Sequence, residues 1–137
     1  MREIFFRGKR IDNGEFIIGS YAVKGIGTDL KKHFIVQCEF NGALTGYPFY
    51  FTDIEVNKAT VGQFTGLLDK NGTRIFEGDI IKYVKNNIVH TGVVKYFKDA
   101  FDVYLHGTNA HSLRSCLDTL EVIGNIHDNP ELLEAPQ

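Results

Sequence analysis

The sequence has few of the residues that cross-link a small protein or hold a metal in it. It contains two cysteines, Cys38 and Cys116, no CxxC pair and no tryptophan. Two cysteines this far apart, in a chain without a recognisable export signal, are typical of reduced thiols. We therefore expect neither a disulfide nor a cysteine-based metal site, and the core must stabilise the fold.

The sequence also lacks a long hydrophobic run. Its N-terminus, "MREIFFRGKR", places charges on both sides of a short apolar stretch. An export signal needs about 7–15 apolar residues, and a membrane span needs about 20. These absences predict a cytoplasmic protein that does not insert into membranes.

A strong excess of one charge is missing as well, because the formal net charge is −2. Such a balance gives no long-range attraction to nucleic acid or to an anionic membrane, although it permits a local basic patch. Hydrophobic residues make up 43% and charged residues 23% of the 137 positions, which is typical of a globular protein. A chain of this length buries roughly two-thirds of its unfolded surface, so it folds as one domain or as two small β modules sharing one core.

What the sequence does contain is a pattern of short β-strands separated by turns. The runs Ile4–Ile11 and Glu15–Val23 flank "DNG", and a second pair of runs flanks the Asn71-Gly72 step. Both arrangements predict hairpins, because glycine accepts the positive φ that a tight turn needs. Another strand is predicted over His33–Phe40.

From Asp79 onward the pattern becomes a meander. The strands "DIIKYVK", "IVHTGVVKYF" and "FDVYLH" are followed by "SLRSCLDTL", which has the spacing of one helical face, and by the strand "LEVIGNI". Ser112 and Asn129 are the predicted N-caps of this helix and of a short C-terminal helix. The order predicts a mainly β fold with a small SH3-like barrel over about residues 79–127. An N-terminal β-hairpin region, 1–78, then packs against a barrel domain, 79–137.

The stretch "NGALTGYPFYF", residues 41–51, has the composition of a loop or an irregular edge strand, and four aromatic residues lie between positions 47 and 51. Such a density is typical of a plug that fills the core beneath a loop or of an exposed apolar patch. We favour the plug, because large exposed patches are uncommon on monomers.

Three blocks of the sequence, in this order, resemble a known family: "FRGKRIDNGEFIIG" (Phe6–Gly19), "TVGQFTGLLDKNGTRIFEGDII" (Thr60–Ile81) and "LEVIGNIHDNPELL" (Leu120–Leu133). The chain resembles the YopX proteins of phages and prophages. The resemblance implies a phage-related protein with a predominantly β core inside a bacterial cell, and it implies no reaction, substrate or cofactor. The segment Lys24–Asn57 departs from the family pattern, so the resemblance assigns it no role.

Glu77 and Asp79 form the candidate catalytic pair. Residues two apart on a strand share a face, and two carboxylates placed in this way are typical of glycosidases. Gly78 between them favours a turn instead, in which the Asp79 carboxylate binds backbone amides nearby. We favour the turn, and an enzyme using this pair stays an alternative.

No other motif predicts catalysis, a metal or a cofactor. His106 and His111 flank a short loop, whereas a metal site needs three or four convergent ligands. Cys38 and Cys116 both fall on apolar faces, where a thiol is usually inert. The fourteen glycines are spread through turns and form no phosphate-binding motif. The prediction is therefore no catalytic residue, no metal and no cofactor.

The densest basic cluster is "RGKR", which supplies Arg7, Lys9 and Arg10. Small barrels bind nucleic acid through a basic face with exposed aromatic rings. The rings predicted to stack on bases here are those of Phe5, Tyr83, Tyr96 and Tyr104. Basic residues also keep an edge strand soluble and unpaired, and this is the interpretation that we favour.

The sequence thus favours a non-catalytic binding or assembly module that self-associates as a homo-oligomer, with a phage or host protein as a further partner. The reasons are the missing catalytic constellation, the aromatic-rich stretch and β edges that need covering. A nucleic-acid-binding small barrel that uses Arg7, Lys9 and Arg10 is the first alternative. An enzyme that uses Glu77 and Asp79 is the second.

Overall fold

The structure, a computed structural model, describes residues 4–25, 31–39, 50–97, 100–105 and 108–134. These stretches are mainly β, as the sequence predicts. They form two compact units that divide between Gln63 and Phe64. We call residues 4–63 the N-terminal unit and residues 64–134 the C-terminal unit. The predicted boundary lies further along the chain, and the domains 1–78 and 79–137 stay a prediction.

The described residues contain eleven strands, two 3-10 helices and one α-helix. In chain order these are β1 Phe6–Lys9, β2 Phe16–Gly25, β3 Lys31–Glu39, β4 Tyr50–Glu55, a 3-10 helix Lys58–Thr60, β5 Gly62–Leu68, β6 Arg74–Phe76, β7 Asp79–Lys85, β8 Ile88–Phe97, β9 Ala100–Leu105, β10 Thr108–Ser112, a 3-10 helix Leu113–Cys116, β11 Glu121–Asn125 and α1 Glu131–Glu134.

The N-terminal unit is built on the predicted first hairpin. β1 and β2 pair antiparallel, with Phe6 opposite Gly19 and Lys9 opposite Phe16. Gly14 ends the connecting turn with a φ of 73°, which a residue with a Cβ adopts only at a cost. The strand order in this unit is β4-β3-β2-β1, and β1 also pairs with the start of β5. The predicted third strand is confirmed as β3.

The inner side of this sheet holds the core of the unit. Ile35 is fully buried and Val56 is 3% exposed. Glycine provides the room for both: a Cβ on Gly19 would lie 2.5 Å from the Val36 carbonyl oxygen and 2.9 Å from Ile35, and a Cβ on Gly8 would lie 3.0 Å from Val56. Close approach at the two glycines therefore decides which side of the sheet is filled.

A backbone bridge joins the end of β1 to the end of β4 through Arg10 and Val56. On one side of the bridge the Ile11 N–H donates to the Glu55 carbonyl at 3.1 Å, and a second backbone bond of 2.8 Å lies on the other side. β1 thus covers the C-terminal end of β4. The rest of β4 pairs with β3, and no second neighbouring strand occurs among the described residues.

The C-terminal unit begins with the predicted second hairpin, in which β5 pairs with β6. Gly72 in its turn has a φ of 81°. Asp69 is 7% exposed, and its carboxylate accepts backbone N–H bonds from Asn71, Thr73 and Val122 at 2.8, 2.9 and 3.0 Å. One buried acid therefore closes the turn and attaches it to β11.

The remaining strands form the predicted meander, in the order β10-β9-β8-β7-β11. β7 and β8 have the predicted bounds, and Asn86 and Asn87 join them with φ values of 54° and 62°. Positive φ at both central residues is the geometry of a two-residue hairpin turn. The outer strands β10 and β11 show no pairing with each other among the described residues, so closure into an SH3-like barrel stays a prediction.

The predicted helix over Ser112–Leu120 is a 3-10 helix of four residues followed by a turn. Its apolar face is confirmed, because Leu113, Cys116 and Leu120 are 1%, 3% and 0% exposed. The Ser112 side chain makes no capping bond, contrary to expectation. Nine residues are too few for a stable isolated helix, so packing on the sheet decides the local conformation. The core of this unit contains Ile75, Ile81, Tyr83, Val94, Phe101, Leu113, Cys116 and Leu120.

The expectation of an aromatic core plug is wrong for Phe51, which lies on β4 and is 71% exposed. The rest of that prediction concerns side chains outside the described residues. Cys38 is also exposed rather than buried on an apolar face, because it points away from the side that Ile35 fills. Apolar residues occur on both sides of β3, so alternation alone does not identify the buried side.

The C-terminal helix α1 follows Pro130 as predicted. Asn129 has a different role from the predicted N-cap, since its side-chain oxygen accepts the Asn125 N–H at 3.3 Å. A Cβ on Gly124 would lie 2.6 Å from that oxygen. The amide therefore fixes the chain as it leaves β11, and only glycine fits beneath it.

We expect Asp69→Asn to lower the free energy of unfolding by about 1–3 kcal/mol at neutral pH, because an amide turns an N–H group toward a backbone N–H. Burial acts to raise the pKa of Asp69, but the N–H groups of Val122, Thr73 and Asn71 outweigh it and hold the pKa below 3.8. A lowered pKa means that the stabilisation is complete above the unfolded-state value and is lost as the pH falls through the folded-state value.

Urea unfolding at about pH 7 and at about pH 2.5 measures this effect. The difference between the wild type and Asp69→Asn should shrink at the lower pH. Asp118→Asn is the matched control, because Asp118 is exposed. An Asp118→Asn effect as large as that of Asp69→Asn, or a difference that does not depend on pH, would contradict the assignment.

Candidate functional site

The candidate site is the side of the N-terminal sheet opposite Ile35. The pairing register identifies its members, since it places Arg7 opposite Ile18 and Phe34 opposite Glu55 on that side. We call it the outer face. Its charged and large apolar members are Arg7, Lys9, Phe16, Ile18, Lys24, Lys32, Phe34, Val36, Cys38, Phe51, Asp53 and Glu55.

The structure brings two of the three predicted basic residues together. The Arg7 guanidinium carbon lies 4.4 Å from the centre of the Phe16 ring, and the Lys9 ammonium lies 5.3 Å from it. Both cations interact with the ring electrostatically at these distances. Phe16 was not among the predicted site residues, although its place opposite Lys9 follows from the hairpin register.

Arg10 does not join this pair, because alternation turns it to the other side of β1. Its Nε and Nη2 donate to the two carboxylate oxygens of Asp12 at 2.8 and 2.6 Å. This bidentate bond raises the pKa of Arg10 and lowers the pKa of Asp12. The positive charge of Arg10 is thus largely offset by its neighbour in the turn.

Two further lysines of the outer face, Lys24 and Lys32, are ion-paired. Lys24 binds the Asp53 carboxylate, and the Lys32 ammonium lies 4.0 Å from Glu55. Lys24 also lies 5.2 Å from the centre of the Phe34 ring. The β4 end of the outer face therefore carries little net charge, whereas the whole face has four cations and two acids.

Phe51 is the most exposed large apolar side chain of the outer face, at 71%, and Ile18 is 37% exposed. Cys38 lies directly opposite Phe51 in the β3–β4 register. An exposed patch was the less favoured of the two interpretations of this aromatic stretch, and the exposed thiol beside Phe51 was not expected. The β3–β4 pairing was the missing information, since it places Phe51 on a strand at the end of the described sheet order.

The predicted base-stacking rings are not all available. Tyr83 is fully buried, and this burial raises the pKa of its phenol to about 12. It therefore belongs to the core of the C-terminal unit, and the prediction for it is wrong. Tyr96 is 47% exposed, Phe5 is half-buried, and the Tyr104 side chain lies outside the described residues.

Asp79 acts as a turn residue. It is 1% exposed, and its Oδ2 accepts the Phe76 N–H at 2.8 Å. The donor is a nearby backbone amide, three residues before Asp79 in the chain. Gly78 has a φ of 91°, and its N–H donates to the Val94 carbonyl at 2.9 Å. Glu77 is half-buried beside it, so the pair forms a structured turn rather than an open cleft.

Two histidines and the second thiol are engaged within the fold, and the side chains of His106 and His111 lie outside the described residues. His33 Nδ1 hydrogen-bonds to the Tyr21 hydroxyl, and the His90 ring stacks on Tyr83 with 5.2 Å between ring centres. Burial raises the pKa of the Cys116 thiol, which favours its neutral form. No group of three His, Cys, Asp or Glu side chains suited to a metal occurs in the described ranges.

A Lys–Ser contact also occurs in the C-terminal unit. The Lys85 ammonium donates to the Ser115 hydroxyl at 2.9 Å, and this hydroxyl donates to the Ser112 carbonyl at 2.8 Å. Because the hydroxyl proton is already given to a carbonyl, the contact attaches the end of β7 to the 3-10 helix and does not activate a nucleophile. Within the described residues, no helix is long and apolar enough to cross a membrane.

We expect Asp79→Asn to lower the unfolding free energy by about 1–3 kcal/mol, since a buried carboxylate that accepts a backbone N–H is replaced by an amide. Glu77→Gln is the control, because Glu77 is only half-buried. Thermal and urea unfolding measure both variants. An Asp79→Asn protein as stable as the wild type would show that this carboxylate does not hold the turn.

Two comparisons bear on what the chain is. The crystal structure of protein EF1440 from Enterococcus faecalis is similar, with 26% sequence identity over 97% of this chain and 99% of that chain, and a TM-score of 0.52. No curated protein matches the chain. The YopX protein family matches residues 12–134, which cover nearly the whole sequence and all strands from β2 onward. The chain therefore belongs to the YopX family.

Proposed function

We propose that this YopX-family protein is a non-catalytic binding or assembly module that self-associates through its N-terminal unit. The observation that carries the proposal is the outermost strand β4 with Phe51 on it, 71% exposed. An edge strand whose backbone groups lack a partner pairs readily with another chain unless charge, proline or a covering segment prevents it. Burying one phenylalanine side chain contributes roughly 1.5–3 kcal/mol.

The charges of the outer face support a protein partner. Lys24 and Lys32 are held by Asp53 and Glu55 of the adjacent β4, so the surface around Phe51 is close to neutral. A neutral surface with an exposed aromatic ring is typical of a protein–protein contact. Two copies of such a surface do not repel each other.

The acids of the chain support a non-catalytic role. Asp69 and Asp79 are buried and accept hydrogen bonds from backbone N–H groups, so both stabilise turns of the fold. We extend the proposal with what the family resemblance implies: a phage or prophage origin, a cytoplasmic location in the bacterial host, and a phage or host protein as a further partner. Neither a metal nor a cofactor forms part of this function.

Nucleic-acid binding is the second candidate function. The observation in its favour is that Arg7, Lys9, Lys24 and Lys32 share the outer face. Each of Arg7 and Lys9 lies over the Phe16 ring, however, and Lys24 lies over Phe34. These rings are thereby covered on a side that a base would need for stacking.

We expect the wild-type protein to be a dimer or larger oligomer at about 50 µM in light scattering or sedimentation. Phe51→Ser should weaken the association about tenfold or more, since it removes the exposed ring. Ile88→Ser is the matched control, because Ile88 is 58% exposed in the C-terminal unit. A monomeric wild-type protein at that concentration would refute the proposal.

We expect no binding of a mixed-sequence single-stranded or double-stranded oligonucleotide in about 50 mM salt, where phosphate contacts are strong. Fluorescence anisotropy measures this directly. The paired Arg7→Ala, Lys9→Ala variant tests the basic pair, with Lys58→Ala as an exposed control. The wild type and the Lys58→Ala control could bind the oligonucleotide in a salt-dependent way while the paired variant does not. That result would favour nucleic-acid binding over self-association as the function.

A further inference from the structure

We propose that two copies of the chain join by antiparallel pairing of their β4 edges around Thr52, so that two N-terminal sheets become one continuous sheet. This inference rests on the proposed self-association and specifies its geometry. It is carried by three properties of β4: the direction of its backbone groups, the point where its free edge ends, and the charge on its side chains.

The direction of the backbone groups follows from one hydrogen bond. The Val56 N–H donates to the His33 carbonyl of β3 at 2.9 Å. Backbone groups alternate along a strand, so Thr52 and Ile54 also face β3 in the register observed. Phe51 and Asp53 consequently direct their N–H and C=O groups toward the open side of β4.

Among the residues that the structure describes, the open edge of β4 ends at Glu55. The Glu55 carbonyl, which also points to the open side, already accepts the Ile11 N–H at 3.1 Å. A shallow cleft of about 290 Å³ lies at this end, lined by Arg10, Ile11, Asp12, Asp53, Ile54 and Glu55. Phe51 and Asp53 are therefore the described edge residues that a second strand pairs with.

Charge selects among the two-fold registers of such a pair. Centring the axis on Asp53 would place two Asp53 side chains directly opposite each other, which is destabilising. Centring it on Phe51 would pair the two Phe51 residues with each other and would leave Asp53 without a partner among the described edge residues. Centring it on Thr52 pairs Phe51 of each copy with Asp53 of the other, so both edge residues of both copies are satisfied.

This register has a measurable consequence at the axis. Thr52 of one copy lies opposite Thr52 of the other as a non-hydrogen-bonded pair, with about 4.5 Å between their Cα atoms. Two cysteines at this separation form a disulfide without movement of the backbone. The same register also places each Phe51 ring beside the Lys24–Asp53 ion pair of the other copy.

Cross-linking tests the register. Thr52→Cys is made in a Cys38→Ser background, which removes the exposed native thiol and leaves the buried Cys116. Mild oxidation should convert most of the protein to a covalent dimer on a non-reducing gel. Ser20→Cys in the same background is the control, because Ser20 is exposed on β2, which has strands on both sides. Cross-linking of Thr52→Cys no faster than that of Ser20→Cys would overturn the register.

A pair of variants at one position separates backbone pairing from side-chain packing. Phe51→Ala and Phe51→Pro both remove the ring, but only proline removes the outward N–H, and an edge strand tolerates proline at such a position. We expect Phe51→Pro to raise the dimer dissociation constant about tenfold beyond Phe51→Ala, with unchanged circular dichroism for both. Equal dissociation constants would overturn edge pairing.

The results distinguish this inference from the function on which it rests. The wild-type protein could dimerise in light scattering while the variants show neither the Thr52→Cys cross-link nor the proline effect. That result would support the proposed self-association and contradict pairing of the β4 edges. A wild-type monomer removes both. If Phe51→Pro fails to fold, the cross-linking result alone decides whether the β4 edges pair, because Thr52→Cys leaves the backbone groups of β4 in place.

Discussion

The packing of Ile35 and Val56 against Gly8 and Gly19 determines the rest of the N-terminal unit. At Gly19 a side chain would collide with the backbone of β3, and at Gly8 it would lie only 3.0 Å from the Val56 side chain, so this is the side of the sheet where backbone and core side chains come closest. Successive side chains of a strand point to opposite sides of the sheet. Burial of one side therefore determines which side chains lie on the other. Arg7, Lys9 and Phe51 then face outward as a set, and the composition of the outer face is a consequence of the core.

Acidic residues play the corresponding part in the C-terminal unit. Asp69 and Asp79 are buried at the two turns that flank β6, and each accepts backbone N–H groups that would otherwise lack partners. The same residue types serve catalysis in other proteins, but a carboxylate occupied by main-chain donors is not placed to exchange protons with a substrate. Their role in the two turns is sufficient to explain them.

The hairpins and the meander were predictable because turn chemistry is local. The Asn71-Gly72 step and the bounds of β7 and β8 depend on residues next to each other in the chain, and all three appear in the structure. The outer face was not predictable in the same way. β3 is apolar on both sides, so its pattern does not say whether Ile35 or Cys38 is buried, and the answer lies in glycines of other strands. The four-residue 3-10 helix shows the same limit, since its apolar spacing fits an α-helix equally well.

The choice between a protein partner and a polyanion depends on what each would do to the ion pairs of the outer face. A phosphate that binds Lys24 must displace the Asp53 carboxylate and then lie beside it, so the attraction of one charge is offset by the repulsion of another. A strand that pairs with β4 leaves Lys24 and Asp53 as they are and satisfies backbone groups on the side of β4 where the described residues place no strand. It also covers Phe51 without desolvating an isolated charge. The geometry of β4 therefore favours a strand as partner, and a second copy of this chain supplies one with a complementary edge.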